Sequence, residues 1–149
     1  MLTFFIFILG IFTLDQVTKI LALKYVTASI ELTPFFNIIL TLNRGVSFGM
    51  FSANHLYGVY ALIGLTSCLS LFVLFLMITS KTKMDKIGFS MIFSGAVGNL
   101  FDRVRLGGVV DFLDFHIQGY HWPAFNVADS AICIGVCLLF LNQFMIKKN

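Results

Sequence analysis

Two aspartates stand in short polar islands of a chain that is otherwise apolar. Asp111 closes the run Gly107-Gly108-Val109-Val110-Asp111 just before Phe112. Asp129 lies in Phe125-Asn126-Val127-Ala128-Asp129-Ser130, where a long apolar stretch begins. A carboxyl group in or beside a bilayer span is costly to keep, so it is a functional candidate by default. Two carboxyl groups that share one proton can divide the work of peptide hydrolysis, one activating water while the other polarises the scissile carbonyl. The pattern points to a membrane-embedded aspartic peptidase.

Further polar residues gather around these two. Asp15 and Lys19 are four apart on one helix face, where opposite charges pair and cheapen each other's place in a bilayer. That pair reads as architectural, because a carboxylate held by a cation is a poor proton shuttle. Gly95-Ala96-Val97-Gly98-Asn99 offers a small-residue face for close helix packing. Asp102 and Arg103 follow within about a turn and are expected to neutralise each other. Asn99, with both a donor and an acceptor, suits orienting a carboxylate or a substrate peptide. Asn126, after Pro123, reads as a helix N-cap, which makes Asp129 a first-turn acid favoured by the helix dipole. Asp111 has only Arg103, Arg105 or a shared proton within sequence reach to neutralise it.

The elements that must position these residues follow from composition. Of 149 residues, 58% are hydrophobic and 11% charged, against about 25% charged in a soluble domain. A helical span needs roughly 20 mostly apolar residues, and four stretches qualify: about 2–23, 56–79, 87–104 and 126–146. The expectation is an all-α membrane protein of one domain, 1–149, with four transmembrane helices. The first span has no positive charge in Met1–Phe5, where a signal peptide has a basic n-region, and its apolar run continues past Asp15 and Lys19 to Leu23, so it is expected to be retained. Lys81, Lys83 and Lys86 crowd one short connection and Lys147-Lys148 ends the chain, which puts both termini in the cytoplasm. The net charge of +3 is then a matter of topology and calls for no nucleic-acid partner.

With that topology the segments at about 24–55 and 105–125 are extracytoplasmic, and nearly every ionisable group in or near a span collects at that one surface. The stretch Phe35–Leu42 is rich in β-formers and ends at Asn43-Arg44-Gly45, a turn-like tripeptide; Val46–Phe51 alternates again. A small sheet is expected there, joined by Val109–Phe115. Tyr120, Trp122 and Phe125 suit the headgroup level. Segments 52–58 and 116–122 are candidate lids. Cys68, Cys133 and Cys137 fall inside spans as small hydrophobes, and neither they nor His55, His116 and His121 have metal-site spacing.

Five blocks, Asp15–Lys19, Asn43–Gly49, Gly95–Arg103, Val109–Phe112 and Phe125–Ser130, resemble in order and spacing the motifs of the bacterial lipoprotein signal peptidases, signal peptidase II. The resemblance implies four membrane helices with a small extracytoplasmic β-sheet cradle and a catalytic dyad of Asp111 and Asp129. It implies that Asn43, Arg44, Asn99, Arg103 and Asn126 support the site or the substrate, with Asp15 and Lys19 architectural. It further implies cleavage of diacylglyceryl-modified prolipoproteins just before the lipidated cysteine, in the bacterial cytoplasmic (inner) membrane and near its extracytoplasmic face. The resemblance also implies membrane lipid as a partner, the cyclic depsipeptide globomycin as inhibitor, a monomer as sufficient, and no need for a metal or an organic cofactor. Two rivals remain. One is a Ser–Lys peptidase using Ser47, Ser52 or Ser130; the other is a non-enzymatic transport or assembly subunit.

Overall fold

The computed structural model describes residues 2–45 and 56–146. Along them run α1 (Leu2–Tyr25), β1 (Ile30–Thr33), β2 (Phe36–Asn43), α2 (Leu56–Thr79), α3 (Lys83–Leu106), β3 (Val109–Ile117), β4 (Tyr120–His121) and α4 (Val127–Ile146). The alternating stretch expected over Val46–Phe51, the candidate serines Ser47 and Ser52, His55, and Lys147-Lys148 lie outside the described residues, as does the 52–58 segment up to its junction with α2.

The helices are arranged inside-out relative to a water-soluble bundle. Large apolar side chains such as Phe5, Leu71, Phe72 and Phe144 are exposed, while Asp15, Lys19, Ser90, Ser94 and Asp102 are buried. Polar groups turned inward and apolar groups turned outward are what a hydrocarbon solvent requires. Three helices are long and apolar enough to cross a membrane: Leu2–Tyr25, Gly58–Thr79 and Val127–Met145. At 1.5 Å per residue, a 24-residue helix such as α1 reaches about 36 Å, more than the hydrocarbon thickness.

Helix α3 carries the polar inner face and packs against α1, α2 and α4. Thr82 caps it, accepting a hydrogen bond from the Asp85 N–H at 3.0 Å. Gly107 ends it in the left-handed region at φ 70°, its N–H donating to the Arg103 carbonyl. The small-residue face expected at Gly95 and Gly98 is present and has a steric reason. A Cβ on Gly95 would strike the Ala128 carbonyl of α4, and one on Gly98 would lie 2.6 Å from Asp15 Oδ2.

The sheet is antiparallel with strand order β1-β2-β3-β4. The β-former run predicts β2, and the Val109–Phe115 segment pairs with it as expected, Asn37 opposite Asp114 and Thr41 opposite Asp111. The short edge strands β1 and β4 are additions to that expectation. Segment 116–122, a candidate lid by sequence, forms the β3–β4 hairpin, whose turn residues Gln118 and Gly119 both have positive φ. Ala22, Val26 and Phe112, flanked by Ile38, Leu113 and Val127, form an apolar plug where α1, α4 and the sheet meet.

Candidate active site

Asp111 comes from β3, two residues after that strand begins, and Asp129 from the first turn of α4. The start of α4 is set by reciprocal hydrogen bonds: the Asp129 N–H donates to Asn126 Oδ1 at 2.9 Å, and the Asn126 N–H donates to Asp129 Oδ2 at 3.2 Å. This is a capping box with asparagine and aspartate in the usual serine and glutamate places. It confirms the N-cap expected at Asn126 and fixes the direction in which Asp129 points.

Both carboxyl groups line one cavity of about 630 Å³, together with Asn43, Asn99 and Arg103. Its other wall is apolar, with Phe125, Ile132 and Ile134 among its residues. The amide side chains are wired to the carboxyl groups as donors. Asn126 Nδ2 donates to Asp111 Oδ1 at 2.7 Å and Asn43 Nδ2 to Asp111 Oδ2 at 3.1 Å. Asn99 Nδ2 donates to Asp129 Oδ1 at 2.8 Å. Among the described residues, neither aspartate is in ion-pair contact with a lysine or arginine. Burial pushes Asp111 from its ordinary 3.8 up to about 6, against the hydrogen bond from Asn43, with the nearby Asp129 carboxylate adding to the rise.

A second set of charges lies directly behind. Lys19, fully buried, is 2.9 Å from Asp15 and 3.0 Å from Asp102. The first contact is the pair expected from the sequence. The second corrects the expectation that Asp102 is neutralised by Arg103. Asp102 turns into the bundle towards α1, where Gln16 also reaches it, while Arg103 donates to the Asn99 carbonyl and faces the cavity. Lys19 also donates to Asn99 Oδ1 at 3.0 Å. A lysine has only donors, so this contact forces the amide of Asn99 to present its NH2 to Asp129.

The remaining positions fall as follows. Arg44 lines an adjoining cavity that it shares with Asp111 rather than the one holding Asp129. Ser130 hydrogen-bonds the Asn126 carbonyl, and Lys19 is occupied by Asp15, Asp102 and Asn99, so no Ser–Lys pair forms there. Polar residues without a role in the sequence reading include Gln16, which bridges Asp15 and Asp102, and Asp114 with His121, which meet at 2.9 Å on the sheet. The odd spacing of Asp111 and Asp114 concealed the last pair, because a regular strand sends such residues to opposite faces.

The family model for Signal peptidase (SPase) II matches residues 7–145. The chain belongs to this family. It is 44% identical over 133 residues to a lipoprotein signal peptidase of Ralstonia nicotianae, covering 87% of this chain and 77% of that one. To the lipoprotein signal peptidase of Francisella tularensis subsp. novicida it is 39% identical, covering 99% and 95%. A solved bacterial membrane enzyme superposes with a TM-score of 0.84 at 31% identity, over 96% of this chain and 88% of that one. As a signal peptidase II, the protein is a membrane aspartic peptidase that removes signal peptides from prolipoproteins.

Proposed function

We propose that Asp111 and Asp129 are the catalytic dyad with which this signal peptidase II cuts before the lipid-modified cysteine of diacylglyceryl-modified prolipoproteins. The observation that carries this is the pairing of two carboxyl groups on one cavity wall with amide donors and, among the described residues, without a cation in contact. Such a pair holds a proton to higher pH than a lone carboxyl group does, as the chemistry needs.

Asp129 acts as the base, its two oxygens accepting from Asn99 and from the Asn126 N–H. Asp111, with its proton held up to about pH 6, acts as the acid. Asp129 takes a proton from water, whose oxygen attacks the scissile carbonyl carbon while Asp111 donates a hydrogen bond to the carbonyl oxygen. As the tetrahedral intermediate collapses, the C–N bond breaks and a proton passes from the dyad to the departing amine. Asn43, Asn99 and Asn126 hold the carboxyl groups, and Arg103 faces the substrate. The apolar wall along α4 suits the signal helix and acyl chains, which reach the site from the lipid.

We also place α3 across the membrane as the fourth span. Its ionisable residues cluster at its two ends and its central polar side chains face the bundle, so its lipid-side surface is apolar. Four spans with Lys81, Lys83 and Lys86 inside put both termini in the cytoplasm and the dyad at the extracytoplasmic face. A single copy then holds the whole dyad, and globomycin competes for the same cavity.

The test is cleavage of a diacylglyceryl-modified prolipoprotein in detergent by wild type, Asp111→Asn and Asp129→Asn. Either substitution should lower kcat by at least about a thousandfold while the protein still folds. Wild-type kcat should decline as pH rises above about 6, where Asp111 loses its proton. Full activity in a folded dyad variant would remove the aspartic assignment.

A further inference from the structure

Next to the catalytic cavity lies a second one of about 760 Å³, running over the sheet. The two share Asn43, Asp111, Trp122, Pro123 and Ala124, so they are continuous around the proposed acid. Their linings differ in kind. The first follows α4 past Ile132, Cys133 and Ile134; the second follows the strands past Asn37, Asp114 and His121.

Local backbone geometry brings this second group together. The N–H groups of Phe112 and Leu113, consecutive residues, both donate to the Phe125 carbonyl at 3.1 and 2.9 Å. Two residues opposing one is the mark of a β-bulge, which re-aims the side chains beyond it. Asp111 and Asp114, three apart, thereby line one cavity instead of opposite faces. The β2–β3 register is irregular at the same level, between Ile38 and Thr41.

The groove is rich in acceptors. Asp114 is buried, yet hydrogen bonds from His121 and Asn37 outweigh that burial and hold its carboxyl below the usual range. Asn37 is also buried; its Nδ2 is spent on Asp114 at 3.2 Å, and its Oδ1 has no partner among the described residues. The half-exposed ring of His121 stacks on His116 at 4.9 Å and forms the rim. A buried carbonyl oxygen without a donor is a cost that native proteins avoid unless a ligand or water supplies one.

We infer that Asn37, Asp114 and His121 form a subsite for the peptide that follows the scissile bond, accepting hydrogen bonds from its main-chain N–H groups. The inference rests on Asp111 and Asp129 being the dyad. The apolar cavity along α4 takes the signal-peptide side, because that side enters from the lipid. The polar groove on the sheet is the continuation left for the side that enters from water. Main-chain recognition has a consequence for specificity: it holds an extended strand whatever its side chains, so one site accepts many mature sequences.

The test compares two diacylglyceryl-modified substrates, one ending one residue after the cysteine and one ending six residues after it. In wild type the longer substrate should have a kcat/KM about tenfold higher, the worth of one or two hydrogen bonds. In Asn37→Leu and Asp114→Asn that ratio should fall towards one. Because the ratio compares two substrates on the same preparation, a loss of folded enzyme cancels. His121→Ala, at a rim position, should lower the ratio by a smaller factor. A ratio that stays near ten in all three variants, or a wild-type ratio of one, overturns the subsite. The dyad is judged separately by the short substrate, which must reach Asp111 and Asp129 but does not extend into the groove.

Discussion

Two clusters of carboxyl groups in this protein are bridged by the single amide of Asn99, and their neighbours treat them oppositely. Behind the cavity, Asp15 and Asp102 share Lys19 and the amide of Gln16. Facing the cavity, among the described residues Asp111 and Asp129 meet only neutral donors: Asn43, Asn99, Asn126 and one backbone N–H. A carboxylate bound to a cation is fixed in its charge and serves architecture, whereas one held by amides can still exchange a proton. The partner, more than the residue type, distinguishes the two clusters.

The two clusters are joined by backbone as well. Asp15 accepts from the Ala128 N–H at 2.9 Å and Asp102 from the Val110 N–H at 3.2 Å. Ala128 and Val110 are the residues immediately before Asp129 and Asp111. The buried ion cluster thus grips the chain one residue ahead of each cavity-facing aspartate and sets where α4 and β3 enter the cavity. Asn99 makes the third connection, touching Lys19 on one side and Asp129 on the other.

The sharpest way to break the comparison is Lys19→Met. It leaves two buried carboxylates without a cation and should cost about 3–5 kcal/mol of stability, read as a large drop in unfolding temperature in detergent. Asp111→Asn should leave the fold intact, and any equal loss there would erase the distinction between the clusters.

The next effect is a pH dependence that belongs to the facing cluster. The folded pKa of Asp111, about 6, exceeds its ordinary 3.8, so between these values the folded state binds more protons than the unfolded one. This group's contribution therefore falls as pH rises through that window, and it is most favourable below it. Asp111→Asn removes the slope, so its stability relative to wild type should improve by up to about 3 kcal/mol between pH 4 and pH 7. Denaturation at the two pH values checks this; a constant difference would mean that Asp111 is not held protonated by its surroundings.

Asn99→Ala gives the smallest effect and probes the bridge. Losing the hydrogen bond from this neutral amide to the Asp129 carboxylate should lower kcat about tenfold, with a stability loss of about 2 kcal/mol. A stability loss as large as that of Lys19→Met would place Asn99 with the scaffold instead.

Much of this arrangement was legible in the chain. The apolar stretches at about 2–23, 56–79 and 126–146 predict α1, α2 and α4 closely, because lipid-facing helices announce themselves by length and hydropathy. The fourth stretch, about 87–104, lies within α3, but the helix starts earlier, at Lys83, where the Thr82 cap decides the boundary. Asp15 with Lys19 was readable because i,i+4 pairing is local. Asp102 was misassigned to Arg103 because adjacency in sequence says nothing about which side of a helix each residue takes: consecutive residues lie about 100° apart. Asp114 and His121 were missed because they meet through a hairpin and a bulge.

By itself, the sequence determined the family, the apolar helices, the N-cap at Asn126 and the identity of the two candidate aspartates, because each is written in residue type, local period or an ordered motif. Only the tertiary structure decided who neutralises whom. It put Lys19 between Asp15 and Asp102, turned the Asn99 amide towards Asp129, and brought Asp111 and Asp114 to one cavity. Those outcomes depend on helix facing, strand register and a single bulge. Each couples residues that are tens of positions apart in the chain or reorients close ones through a distant carbonyl, and no local rule contains that information.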